Sequence, residues 1–202
     1  MPRDPRNRLL ARGPRNRLTA EMVRDQALLV SGLLSEKMYG PPVMPYQPPG
    51  VWATPYNGRD WKQSKGDDSH RRALYTFWKR TSAYPSFLNF DASARDICAL
   101  RRVPTNTPLQ ALVTLNDPVY EDAAKALARI MRAKAEASDI KAGIAEGWMR
   151  VLNRAPNDAE SGALARLYQD ARQLTAGERN PELAAYAAVA SALLNLDAAL
   201  TK

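Results

Sequence analysis

Six prolines between residues 41 and 55 set the strongest limit on what this chain can fold into. Proline has no backbone N–H to donate, and its ring fixes φ, so it interrupts helices and the interior of sheets. The segment 43–52 is therefore predicted to be an extended, polyproline-like loop. Its apolar side chains indicate that it is pinned to the domain surface, either as a clamp across helices or as a functional segment.

The two halves of the chain differ in charge and in composition. Residues 1–105 carry 18 Lys and Arg against 9 Asp and Glu, whereas residues 106–202 carry 11 against 12. The first half is rich in Arg, Pro and aromatic residues, and the second is rich in Ala and Leu at helical spacing. We predict a single, mainly α domain spanning 1–202. Its helical half, 106–202, would pack with an irregular, Pro-rich half, 1–105, that contains at most one or two short strands.

The basic half contains one helix signal and one strand signal. Thr19 is placed to cap a helix from Ala20 to about Leu34. Residues 72–79, rich in aromatic residues and Thr, are the best candidate for a strand, which would be largely buried. Its partner would have to be an irregular segment such as 86–90.

Five helices are predicted in the second half. Thr107 and Asp117 each precede a proline and are placed as N-caps, and Gln110 follows Thr107 at capping-box spacing. Apolar stripes predict the remaining helices. These stripes include residues 140–152, a helix capped by Asn157 or Asp158 with Leu174 facing inward, and a helix opened by Pro181.

The single Cys and single His exclude several classes of site. One cysteine cannot form an internal disulfide or a cysteine-based zinc site, and no CxxCH motif is present to attach haem. We therefore predict no metal or cofactor in this chain. Cys98, in an apolar setting, is expected to be buried and inert, and His70 to be a solvated or hydrogen-bonded loop residue. No apolar run approaches the roughly 20 residues of a membrane span, and no export signal is present.

Residues 3–17 contain six arginines interspersed with leucines. One interpretation is a nucleic-acid-binding arm. The other, which we favour, is a surface segment of a larger domain.

Several motifs occur together in one order along the chain. They are NRLTAEMVRD at 16–25, SGLL at 31–34, PYQPPGVW at 45–52, RRALYTFWKRT at 71–81, RVPTNTPLQAL at 102–112, NDP at 116–118 and ALLNLD at 192–197. In this combination the chain resembles the planctomycete-type, cytochrome-c-associated domain of unknown function numbered 1553.

The resemblance implies that this chain is the C-terminal part of that domain, truncated relative to the family. Such domains end exported, multidomain proteins, so a location in the periplasm or cell envelope is expected. The expected partners are the upstream domains of the same protein, and any haem would be held by a neighbouring domain. The family's activity is not established, so the resemblance implies no reaction.

The candidate functional residues have two interpretations. In the structural one, Asn106, Thr107 and Gln110 serve helix caps, and carboxylates such as Asp25 and Asp91 pair with Arg71 or Arg102. In the functional one, a basic cleft bordered by aromatic rings takes an anionic or sugar-like polymer. The binding candidates are Tyr46, Trp52, Arg71, Tyr75, Trp78, Arg80, Arg102 and Asn106.

Three classes of function remain. The first, which we favour, is a non-catalytic module that packs on neighbouring domains and binds polysaccharide. The second is a hydrolase-type enzyme that uses Asp25, Asp91 or Asp117 as acid or base, although no spacing pairs two carboxylates. The third is nucleic-acid binding by the basic half, which the scatter of its arginines among Pro and Leu disfavours.

Overall fold

A computed structural model of the protein describes residues 4, 6, 8–11, 13, 15–51, 60–80, 82–95, 97–135 and 139–202. Over these residues the fold is mainly helical, which confirms the predicted class, and no sheet is present. Short 3-10 helices span Gly66–His70 and Ala73–Tyr75. The α-helices are α1 (Ala20–Val30), α2 (Pro85–Asn89), α3 (Pro108–Asn116), α4 (Pro118–Lys134), α5 (Ile140–Leu152), α6 (Asp158–Leu174), α7 (Pro181–Leu194) and α8 (Asp197–Leu200).

Helix α4 lies at the centre of the core. It packs most extensively against α7 and α5, and α6 also packs against α7. Small residues let these helices approach closely, because a Cβ at Gly143 of α5 would lie 2.7 Å from the backbone oxygen of Met131 in α4. The Ala-rich stripes of α4 and α7 are buried in the same core, as their spacing predicts.

Most of the predicted caps are present. The side chains of Thr19, Asp117 and Asn157 accept hydrogen bonds from backbone N–H groups in the first turns of α1, α4 and α6. Asn157 also forms a capping box with Glu160. Thr107 precedes α3 as predicted, but its side chain makes no capping hydrogen bond.

These caps give a paired prediction. We expect Asp117→Ala to lower the free energy of unfolding by about 1 kcal/mol, because the N–H of Val119 loses its acceptor. We expect Thr107→Ala to change it by less than about 0.5 kcal/mol, because an exposed side chain without a cap bond is removed. Urea denaturation of both variants measures the difference. An equal loss at the two sites would contradict the assignment.

Helix α1 ends at Val30, four residues earlier than predicted. Gly32 has φ +73°, and the N–H groups of Leu33 and Leu34 both turn back to the carbonyl of Leu28. The left-handed glycine therefore ends the helix. Leu174, predicted to face inward at the end of α6, is exposed instead.

The predicted strand at 72–79 is wrong. Its first residues form the 3-10 helix Ala73–Tyr75, and only one parallel bridge, between Val43 and Thr76, follows. A parallel ladder would need the next N–H groups from residues 41 and 45, and both are prolines. The suggested partner, 86–90, lies mostly in α2.

Cys98 is exposed, contrary to prediction. It lies in segment 97–100, which belongs to no helix and leaves its apolar side chains on the surface. Among the helices of the described residues, none is long and apolar enough to cross a membrane.

Candidate functional site

The proline-rich segment is held against the domain at successive residues. Met44 exchanges two hydrogen bonds with Ser64: its carbonyl accepts from the backbone N–H at 2.8 Å, and its own N–H donates to the hydroxyl at 2.9 Å. The indole N–H of Trp61 donates to the carbonyl of Pro45 at 2.8 Å. These contacts confirm the prediction of an extended loop pinned to the surface.

The pinned loop borders two adjacent cavities of about 510 and 400 Å³, which share Tyr46 and Pro48. We call the pair the proline-loop groove. The first cavity is lined by Tyr46, Gln47, Pro48, Asp60, Trp61 and Gln63, among others. The second is lined by Tyr46, Pro48, Ser86, Asn89, Asn116 and Asp117, among others.

Aromatic rings and rigid backbone form one wall of the groove. The ring of Trp61 stacks on that of Tyr84, with centroids 6.1 Å apart and planes inclined by 12°. The hydroxyl of Tyr84, a buried residue of the core, donates to the carbonyl of Tyr46 at 2.8 Å. The backbone at Tyr46 and the ring of Trp61 are thereby held at the groove before any ligand binds.

The polar lining of the groove consists mostly of neutral amides. Gln47, Gln63, Asn89 and Asn116 all line it, and no Lys or Arg does so among the described residues. The Oε1 atom of Gln47 is buried and has no hydrogen-bond partner among the described residues. A buried acceptor without a donor is costly, so Gln47 carries an unsatisfied carbonyl oxygen in this loop.

Asp117 is the carboxylate best placed for chemistry. Its side chain lies between α3 and α4, where it caps α4 and lines the second cavity. Burial raises the pKa of this carboxyl, while the hydrogen bond from Val119 and the positive charge of Arg24 act in the opposite direction. The net effect is a carboxyl with a pKa above its ordinary value.

Arg71, a predicted binding residue, is buried in the domain. Its guanidinium is buried and donates to the main-chain carbonyls of Lys37, Tyr39 and Pro41. It also lies 3.8 Å from the ring centre of Tyr75, a second predicted binding residue. These two residues hold the loop 37–41 in place.

Arg24 extends this arrangement. It is as buried as Arg71 and donates to the carbonyls of Ser69 and Arg71, both at 2.8 Å. The two arginines thus hold main-chain oxygens, whereas the sequence led us to expect carboxylate partners for Arg71.

Arg102 and the carboxylates have other partners than predicted. Arg102 forms a bidentate ion pair with Glu21, at 2.6 and 2.9 Å, and this pair lowers the pKa of the Glu21 carboxyl against the opposing effect of burial. Asp25 accepts from the N–H of Ala73 at 2.6 Å and contacts Arg72.

Asp91 holds a loop in the same way. Its carboxylate accepts from both the N–H and the hydroxyl of Thr105 and from the side chain of Gln110. Gln110 in turn accepts from Arg17 at 2.7 Å, so it is a buried connector and not the second half of a capping box.

The remaining predicted residues lie apart from the groove. Trp78 is partly buried, stacks on Phe87 and donates to the carbonyl of Ala94. Arg80 is exposed, and Asn106 borders a small cavity of about 80 Å³ beside Arg17. Trp52 lies outside the described residues.

Of the predicted binding residues, the structure places Tyr46 in the proline-loop groove. Tyr46 is joined there by Asp117, which the sequence marked as a cap and as a candidate acid or base, and by Asn116 of the NDP motif. Trp61, Gln47 and Gln63 also line the groove, and none of them was a predicted binding residue. The available signal for Trp61 was a single tryptophan in an otherwise polar run. Over the described residues, no group of acidic, His and Cys side chains is arranged to hold a metal ion.

The comparisons with known proteins give one finding. The family model described as "PSD1: Protein of unknown function (DUF1553)" matches residues 1–168, which take in α1 to α5 and most of α6. No curated protein and no solved structure matches the chain. Because the family match covers most of the sequence, the chain belongs to the DUF1553 family of proteins of unknown function.

Proposed function

We propose that this domain is a non-catalytic binding module whose proline-loop groove takes a neutral polysaccharide. The observation that carries the proposal is the lining of the groove. It combines aromatic rings with amide side chains and has no Lys or Arg among the described residues. Sugar rings offer apolar faces for stacking and hydroxyl groups for hydrogen bonds to amides.

The rigidity of the groove supports the same proposal. The side chain of Trp61 is held by its hydrogen bond to Pro45, so few of its rotamers are lost when a ligand stacks on it, and the backbone that carries Tyr46 is held by Tyr84. Gln63 and Asn89 offer neutral amide donors and acceptors to ligand hydroxyls. A sulfated or otherwise anionic polymer would instead meet the carboxylates Asp60 and Asp117.

The wider setting is also a proposal. In it, the domain packs on neighbouring domains of an exported, cytochrome-c-associated protein in the periplasm or cell envelope. A haem, where one is present, belongs to a neighbouring domain. This part depends on the sequence resemblance.

The test is a calorimetric titration of neutral and sulfated polysaccharides and duplex DNA at two salt concentrations. We expect a neutral glycan to bind with little salt dependence, because it has no charged groups and therefore no bound counterions to release. Tyr46→Ala should weaken this binding about tenfold through loss of a stacking surface. Tyr39→Ala is the matched control, since Tyr39 is an exposed tyrosine outside the groove.

Other outcomes would contradict the proposal. DNA that binds more tightly than any glycan, and is released at the higher salt concentration, would favour nucleic-acid binding by the basic half. Equal losses of glycan affinity in Tyr46→Ala and Tyr39→Ala would show that the groove is not the binding site.

A second candidate is a hydrolase that uses Asp117 as a general acid. The specific observation is its raised pKa within the groove, which favours the protonated form that an acid needs. Asp117→Asn keeps an N-cap acceptor but removes the acid. Release of reducing ends by the wild type that is lost in Asp117→Asn, with unchanged unfolding free energy, would favour the enzyme.

A further inference from the structure

A further cavity, lined mainly by apolar side chains, lies on the outer side of α1. Its volume is about 600 Å³, and its walls are formed mainly by Leu18, Met22, Leu29, Leu34 and Met38. We call it the α1 groove. Met22 and Leu29 are 54% and 61% exposed, and Met38 is 52% exposed. Exposed apolar side chains concentrated at a concave surface are typical of an interaction site.

Helix α1 is apolar on two sides. Val23, Ala27 and Val30 are buried in the core. Met22 and Leu29, which are seven residues apart and therefore share a face, line the α1 groove instead. Because Met22 and Leu29 keep more than half of their surface exposed, they are available to a partner.

The rim of the α1 groove carries more negative than positive charge. Asp25 and Glu36 line it together with one cation, Arg72, which contacts Asp25. The chain as a whole has a net charge of +8, so this acidic rim is unusual for the molecule. It favours an apolar occupant that carries positive charge.

A segment with these properties precedes α1 in the sequence. The carboxylate of Asp4 accepts from the N–H groups of Arg8 and Leu9, at 3.0 and 2.8 Å, and closes a local turn. This turn presents Leu9 and Leu10 to solvent, 84% and 83% exposed. We call the described residues from Asp4 to Leu10 the leucine turn; exposed Arg8 lies within it.

We propose that the leucine turn of a second copy of this chain docks in the α1 groove, with Leu9 and Leu10 on its apolar walls and Arg8 toward Glu36. Within one chain the two leucines are exposed and do not fill the groove. In this proposal the contact is reciprocal: the leucine turn of each copy occupies the groove of the other, which closes the pair as a symmetric dimer. The proposal is independent of the glycan site.

The test is the molar mass of the full chain by light scattering over a concentration series. We expect the wild type to dimerise. Leu9→Asp combined with Leu10→Asp should weaken dimerisation at least about tenfold, as should Leu29→Glu, because each places a charge in an apolar contact. Leu174→Asp is the matched control, since Leu174 is equally exposed and lies outside both surfaces. All substituted residues are exposed, and circular dichroism checks that each variant folds.

Charge reversal tests the partner's orientation. Glu36→Arg should weaken the dimer, and adding Arg8→Glu should restore part of the loss. Mixing the two variants gives a further test. The leucine-turn variant keeps an intact groove, and the Leu29→Glu variant keeps an intact leucine turn. One contact can therefore form between them, so the mixture should give a heterodimer although neither variant dimerises alone. A wild type that is monomeric at every concentration, or a dimer that the leucine-turn variant leaves unchanged, would overturn the proposal.

Discussion

Arg71→Met is expected to lower the free energy of unfolding by about 3 kcal/mol, because three main-chain carbonyls lose a charged hydrogen-bond donor. The guanidinium of Arg71 is 1% exposed and joins the carbonyls of Lys37, Tyr39 and Pro41. Methionine fills much of the same volume but donates to none of them. Denaturant unfolding, followed by circular dichroism and tryptophan fluorescence, measures the loss.

The neighbouring residue supplies the control. Arg72 is half exposed and pairs with Asp25 at 3.4 Å, so Arg72→Met should cost no more than about 1 kcal/mol. Arg71→Lys should remain strongly destabilised, because one ammonium group cannot reproduce the planar fork of donors. Similar losses for Arg71→Met and Arg72→Met would show that the buried arginine does not hold the loop.

Gly143→Ala is the second substitution with a large expected effect, a loss of about 2 kcal/mol through overpacking. The added Cβ would lie 2.7 Å from the backbone oxygen of Met131 and 2.9 Å from the hydroxyl of Tyr186. Because a backbone atom cannot rotate away, α5 must move outward from α4. Gly147→Ala should cost less, since its close neighbours are atoms of the flexible Met131 side chain. Thermal and urea unfolding measure both.

Gly162→Ala is the matched control for these substitutions. Gly162 lies within α6, and no atom comes within 4 Å of an added Cβ. Alanine there should raise the free energy of unfolding by about 0.5–1 kcal/mol through helix propensity. A loss at Gly162 comparable to that at Gly143 would mean that general helix effects, and not the α4–α5 contact, explain the result.

The sequence alone determined the features that depend on neighbouring residues. The mainly α class, the caps at Thr19, Asp117 and Asn157, and the extended proline loop were all predicted and are confirmed. Each is set within a few residues: a proline fixes its own φ, and a side-chain oxygen satisfies an N–H two or three positions away. Such signals need no knowledge of the rest of the fold.

The candidate site was predicted only in part. Tyr46 and Asp117 were marked from the sequence, but their meeting in one groove brings together residues some seventy positions apart. The aromatic spacing of residues 72–79 predicted a strand, yet the prolines that stop the ladder lie about thirty residues earlier. Neither result follows from a local pattern.

Tertiary structure alone decided the partners of the charged residues. Arg71 was expected to bind a carboxylate or a ligand and instead holds main-chain oxygens, and Arg102 pairs with Glu21, a residue not among its predicted partners. A guanidinium can donate to carboxylates and to carbonyls, so its residue type does not specify which of them it meets. Packing of distant segments decides which acceptor lies within reach of each arginine, and no local pattern in the sequence specifies that packing.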